Sequence, residues 1–273
     1  MVGATIASVE IRRGDVIGSR SGRRTRTPTR ATEAMRASLM EGMRVREVNR
    51  LGKQMALITD SGAGVVVHLG MSGRLMLTRL GEEPPVHTHV LWTFARPRAE
   101  FTGIRFTDPR RFGFLLPFAG PAALEQIWEP IGPDALALRA EPARTTVADA
   151  IRSTRRAIKP LLLDQGVVAG VGNIYADEAC FAARLDPHRP GNSLSDSDTA
   201  RLLDAVPTVM NRAIECGGTT LRDYADAMGG RGSAQAKHAV YGRAGKACVV
   251  CGGVLASDRL GQRATVWCPV CQG

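Results

Sequence analysis

Four cysteines near the C-terminus carry the plainest chemistry in the chain. Cys248 and Cys251 form one C-x-x-C pair and Cys268 and Cys271 another, with sixteen residues between the pairs. Two residues inside each pair let the backbone fold back so that both sulfurs point at one centre. Four thiolates on a hairpin-length spacer suit a closed tetrahedral site holding one structural Zn2+ rather than a catalytic ion. Two disulfides, or a C-x-x-C redox pair, are the competing readings. A redox motif needs only one pair, and disulfides do not demand matched knuckles. Between the pairs lie Ser257–Arg263 and a strand-like Ala264–Trp267, which predict a metal-held hairpin with arginines near its tip.

Other candidate chemistry is scattered through the chain. Lys53 falls between two predicted strands, where a lone lysine is ordinarily a solvated surface residue. His68-Leu-Gly-Met-Ser-Gly73 is a glycine-flanked tip carrying Met71, and Thr107-Asp-Pro-Arg-Arg-Phe-Gly113 puts two arginines and a phenylalanine on a turn. Exposed Arg beside Phe is poor for folding but suits a duplex: Arg hydrogen-bonds base edges, and Phe or Met wedges between stacked pairs. His87 and His89 alternate on one strand, without a nearby carboxylate or third histidine to complete a metal site. Gly170 and Gly172 precede Asn173, which is expected to cap a helix starting near Ile174. Bare amides at such a helix start can hold a phosphate, although a glycine turn before a helix is also ordinary punctuation.

These residues need scaffolding of two kinds. Short apolar segments at Val45–Asn49, Gln54–Thr59, Val65–Leu69, Gly73–Thr78, His89–Ala95, Glu100–Thr107 and Phe112–Phe118 follow an opening strand, without crossover helices. That predicts an antiparallel β-sandwich. A short helix at Ala31–Met43 interrupts it, and a basic loop with Arg20, Arg23, Arg24, Arg26 and Arg30 precedes that helix. The pattern then turns helical at Thr146–Asp164, Asn173–Leu185 and Asp196–Cys216. The fold class is therefore α+β: a β-sandwich over 1–128, a helical domain over 129–239 and a four-cysteine zinc-finger hairpin over 240–273.

The formal net charge is +10 over 273 residues, with 44% hydrophobic residues. Such a balance supports real cores and favours a polyanionic partner. No apolar run reaches the roughly 20 residues of a spanning helix, and the N-terminus lacks the order of a signal peptide. Cys180 and Cys216 read as reduced core residues. A cytoplasmic monomer with no membrane association is expected.

HLGMSG, TDPRRFG, GVGNIYADEACF and the GGTTLRDY…CxxC…QRATVWCPVCQ tail together resemble the formamidopyrimidine-DNA glycosylase branch of the Fpg/Nei family, across essentially the whole chain. The resemblance implies a β-sandwich, a helix–two-turns–helix domain and a zinc finger, with damaged double-stranded DNA between them. It implies removal of oxidised purines such as 8-oxoguanine and formamidopyrimidines, with nicking by β,δ-elimination. Met71, Arg110 and Phe112 would fill the hole left by the everted nucleotide, Arg110 facing the orphaned base. His87, Lys159, Asn173 and Arg263 would hold phosphates. Lys53 would donate a proton in β-elimination, Arg263 in δ-elimination, and Thr219–Ala239 would include the loop over the flipped base.

One departure stands out. Family members begin with a proline nucleophile, a glutamate and a helix, whereas this chain reads Met1-Val-Gly-Ala-Thr-Ile6. The expectation is that the catalytic Pro-Glu segment, about one helix in length, is missing. The alternative function is then a catalytically inactive, zinc-dependent damaged-DNA-binding protein.

Overall fold

In a computed structural model, residues 1–18, 32–219 and 227–273 are described. The five arginines of the basic loop and residues 220–226 of the expected covering loop lie outside them. The described residues fall into two compact units, 1–129 with 227–232, and 130–219 with 233–273.

The first unit is the antiparallel β-sandwich. Strands β1 (Ile6–Ile11), β6 (Thr88–Arg98), β7 (Phe101–Thr107) and β5 (Arg74–Arg79) form one sheet in the order β1-β6-β7-β5. Strands β2 (Val45–Leu51), β3 (Gln54–Thr59), β4 (Gly64–His68) and β8 (Phe114–Phe118) form the other, in the order β2-β3-β4-β8. Their inner faces share a core that includes Val65, Val67, Trp92, Phe106 and Leu115. On β4, Val65, Val66 and Val67 are all fully buried. The alternation fails there because Val66 packs on a second cluster with Phe118, Leu124 and Trp128, where helix α2 (Pro121–Trp128) covers the outer face. A strand covered on both sides reads as a continuous apolar run. Helix α1 is shorter than expected, Glu33–Ser38, and Leu39 just after it gives its carbonyl to the buried indole N–H of Trp92 at 2.8 Å.

The second unit is helical, with the hairpin attached. Its helices are α3 (Ala143–Arg152), α4 (Ile158–Leu163), α5 (Asn173–Ala182) and α6 (Asp196–Glu215); the hairpin strands are β9 (Ala256–Leu260) and β10 (Arg263–Trp267). The single helix expected over Thr146–Asp164 is two. Ala157 leaves the helical path to bridge Pro190, and Pro160 sits in the first turn of α4, where its missing N–H costs nothing. The core joins Val147, Ile151, Leu161, Val171, Leu202 and Val206. Helix α6 starts on a reciprocal Ser195–Asp198 capping box, which satisfies two otherwise unpaired N–H groups. Among the described residues no helix is long and apolar enough to cross a membrane.

Candidate nucleic-acid interface and metal centre

In the sandwich, one buried carboxylate organises the candidate residues. Asp108 opens the D-P-R-R-F turn and has no exposed surface. Its Oδ1 accepts from the Ser72 hydroxyl at 2.5 Å and the Arg110 amide at 3.3 Å, and Oδ2 accepts from the Gly113 amide at 2.7 Å. Its backbone N–H donates to the His87 carbonyl at 3.1 Å, and its own carbonyl lies 2.8 Å from His89 Nε2. The Met71 tip, the His87 turn and the Arg110–Phe112 turn are thus fastened to one residue. The tips also touch: Gly70 has φ +62°, and a Cβ there would lie 2.6 Å from the Phe112 carbonyl carbon. Only glycine permits that approach.

What the fastening presents is unusual for a surface. Met71 and Phe112 are 59% and 47% exposed, and the Arg110 guanidinium lies 4.6 Å from the centre of the Phe112 ring. Lys53, on the β2–β3 turn, is exposed and bears on the same tip through His68. The His68 ring stacks on Phe114 and accepts from the Gly70 amide at 3.2 Å. Burial first, and then the Lys53 charge, push its pKa down, so the ring is neutral and can act as that acceptor. His87 is exposed at φ +68°; His89 is buried behind it as a structural residue.

In the second unit the turn before α5 holds the hairpin. Lys159 is not a surface cation: it is fully buried, its ammonium 2.7 Å from Asp177 Oδ1, 2.6 Å from the Ala264 carbonyl and 2.9 Å from Thr265 Oγ1. Burial pushes the Asp177 carboxyl up to about 6, while Lys159 and the Val266 amide pull against it. Asn173 is the first residue of α5, with Gly172 as the N-cap. The expected cap is corrected: its side-chain amide donates across to the Ala264 carbonyl at 3.2 Å instead. Arg263, next to Ala264, starts β10 on the far side of a two-residue turn, Gly261 at φ +56° and Gln262 at φ +64°. These left-handed residues close a tight hairpin, and the guanidinium is left exposed.

Behind the hairpin the ligand atoms of Cys248, Cys251, Cys268 and Cys271 all lie within 4.8 Å of one another. The Cys248–Cys271 sulfurs are 3.9 Å apart and the Cys251–Cys268 sulfurs 3.5 Å. Sulfurs at about 2.3 Å from a tetrahedral Zn2+ would stand about 3.8 Å apart. The amides of Val250 and Cys271 point at Cys248 and Cys268 Sγ, both at 3.4 Å. With protons alone to share, Cys271 is pushed up to about 12, by its hydrogen bond with Cys251 and then by burial. The donor set fits a thiophilic dication.

Two curated proteins are similar over most of their length. The formamidopyrimidine-DNA glycosylase of Laribacter hongkongensis (strain HLHK9) is 39% identical, over 85% of this chain and 84% of its own. That of Pseudomonas aeruginosa (strain LESB58) is 41% identical, over 85% and 83%. The chain belongs to the formamidopyrimidine-DNA glycosylase family. The family's N-terminal domain model matches residues 1–115, its H2TH domain model 131–225, and the zinc finger found in FPG and IleRS matches 245–273. The N-terminal match begins at residue 1 and overturns the expectation of a missing catalytic segment. The MutM (Fpg) protein of Thermus thermophilus superposes with TM-score 0.81 at 36% identity, covering 100% of this chain and 92% of that one. A Lactococcus lactis Fpg complexed with abasic-site DNA superposes with TM-score 0.84 at 28% identity, covering 100% and 93%.

Sequence reasoning missed Asp108 and Ser72. An Asp-Pro at a turn start was the available signal, since Asp accepts from amides further along its own turn.

Proposed function

We propose that the protein is a bifunctional DNA glycosylase and AP lyase that removes oxidised purines, 8-oxoguanine and formamidopyrimidines, from double-stranded DNA. The carrying observation is the Asp108-fastened pair of tips that holds Met71, Arg110 and Phe112 out of the sandwich. Met71 and Phe112 stand exposed beside the Arg110 guanidinium on one fastened platform, a grouping of apolar wedge and base-edge donor that suits entry into a duplex. Related proteins support the substrate class: solved relatives carry abasic-site, Fapy-dG and carbocyclic 8-oxo-G DNA.

The reaction asks three things of these residues. An oxidised purine cannot react inside the stack, and its extrusion costs a few kcal/mol. Met71, Arg110 and Phe112 offset that by filling the vacated space, and Arg110 donates to the orphaned base. His87, Asn173 and Arg263 grip phosphates, which fixes register without reading sequence. Lys159 acts through the hairpin, holding Ala264 and hence the neighbouring Arg263 in place. Attack of an amine on C1′ breaks the bond to the base. The C1′–O4′ bond then opens, the ring oxygen takes a proton and an iminium is left. Loss of the C2′ proton breaks the 3′ C–O bond by β-elimination, and loss of the C4′ proton breaks the 5′ one by δ-elimination. Lys53 supplies the proton in the first elimination and Arg263 in the second. One Zn2+ on the four cysteines clamps the hairpin and takes no part in these steps.

Borohydride reduction of the mixture with an 8-oxoguanine duplex tests this reading. A covalent protein–DNA adduct, absent with undamaged duplex, is expected. No adduct on any oxidised purine would defeat it.

A further inference from the structure

A second surface of the helical unit lies apart from the residues that wedge the duplex, grip its phosphates or serve the eliminations. Two adjoining depressions of about 400 and 570 Å³ share Glu178, Val209, Arg212 and Lys237. The larger runs along α6 and past the C-terminal end of α5 to the cysteine knuckles, reaching Val250 and Cys271. Phe181 in it lies eight residues along α5 from Asn173, about 12 Å at 1.5 Å per residue. Neither the Met71–Arg110–Phe112 wedge, Lys53, nor His87, Lys159, Asn173 and Arg263 lines either depression; Ala234, Lys237, His238 and Ala239, from the end of the Thr219–Ala239 stretch, do.

The rim is basic and its far end apolar. Arg184, Arg201, Arg212 and Lys237 border the groove, all exposed or half-buried. Arg201 is paired with Asp198, but the side chains of Arg184, Arg212 and Lys237 have no partner among the described residues. The acidic groups nearby are mostly spent: Glu178 accepts from the amides of Ala239, Val240 and Tyr241, and Asp204 pairs with Arg144. Glu215 is the exception. Val250 is 66% exposed, and Val249, Val254 and Val270 on the same knuckles are 61%, 69% and 71% exposed. Arg184 also sits at φ +55°, just past the end of α5. Glycine would take that position with about 1–2 kcal/mol less strain. An arginine rather than glycine at this left-handed position, with no side-chain partner among the described residues, leaves its guanidinium open to an outside acceptor.

We propose that this groove docks a short acidic peptide segment of a partner protein that ends in large apolar side chains. Unpaired guanidinium and ammonium groups recognise carboxylates, and the knuckle valines receive the apolar end. A volume of a few hundred Å³ suits a few side chains. Macrodipoles alone would explain Arg212 in the last turn of α6, but not the strained Arg184.

The test is fluorescence anisotropy with the zinc-loaded full chain and a labelled peptide of glutamates and aspartates ending in Leu-Trp-Leu. Saturable binding is expected, weakened about tenfold by Arg212→Glu or by trimming the apolar end, with excision of 8-oxoguanine unchanged. Arg184→Gly, which relieves strain and so folds, should weaken the peptide severalfold. Equal binding of a peptide without its apolar end overturns the groove. So does an Arg184→Gly variant that binds as the parent does. Loss of lesion-duplex binding in step with the peptide would make the surface a nucleic-acid contact and overturn the proposal.

Discussion

Replacing Asp108 with asparagine should separate presentation of the wedge from mere folding. The carboxylate takes three donors: Ser72 Oγ, the Arg110 amide and the buried Gly113 amide. An amide side chain can accept on one atom only, so at least one donor then faces an NH2 group. A buried donor left unpaired costs about 1–3 kcal/mol, enough to lower the melting temperature while leaving the sandwich folded. The larger effect should be on the tips, because displacements of about 1 Å at a reacting constellation cost about 100-fold in rate. The assay is single-turnover excision, with 2-aminopurine opposite the lesion reporting extrusion. Asp108→Asn should slow extrusion and excision about 10- to 100-fold on a paired 8-oxoguanine duplex. It should slow lyase action on a preformed abasic site much less, since extrusion costs less there. Equal losses on both substrates, or a lowered melting temperature with normal extrusion, would rule out this role for Asp108.

Other outcomes follow from the second unit. Asp177→Ala should destabilise the protein by about 3–5 kcal/mol in urea melts by leaving the Lys159 ammonium buried alone, and pairing it with Lys159→Met should recover much of that. Chelation, or Cys268→Ser, should unfold the hairpin and cut duplex affinity, followed by anisotropy alongside metal content; affinity unchanged after confirmed metal loss would count against the clamp. His188 lies between Asp186 and Asp258, 2.6 and 2.8 Å from its ring nitrogens, and against Trp267. Burial lowers its pKa, but the two carboxylates outweigh that and the net shift is upward. Its contribution is therefore complete below the unfolded value of about 6.5 and lost as pH rises through the raised folded one. Hydrogen exchange of β9 amides should quicken over that window, and His188→Gln should flatten the dependence.

The parts legible in the sequence are those whose partners lie close along it. The cysteine knuckles announce themselves through two-residue spacing, and the exposed turn through its own composition. Asp108 does not, because Ser72 is thirty-six residues away and no periodicity links them. Lys159 looks like any phosphate-binding lysine until the fold brings Asp177 and Ala264 to it, the latter from 105 residues away. The cap of α5 lies one position earlier than the sequence suggests because Gly172 can cap without a side chain, which frees the Asn173 amide for Ala264. The missing-segment expectation rests on the opening residues alone, and the domain match from residue 1 overrides it.

On the proposed reading, Met71, Arg110 and Phe112 enter a damaged duplex as one wedge so that an oxidised purine can be cut out. Strand incision of an end-labelled duplex bearing one 8-oxoguanine is the decisive measurement. The protein should nick at the lesion and not in the undamaged control, and Phe112→Ala with Arg110→Ala should remove most of that activity. Incision unaffected by the double substitution, or no incision by the parent protein, would contradict it.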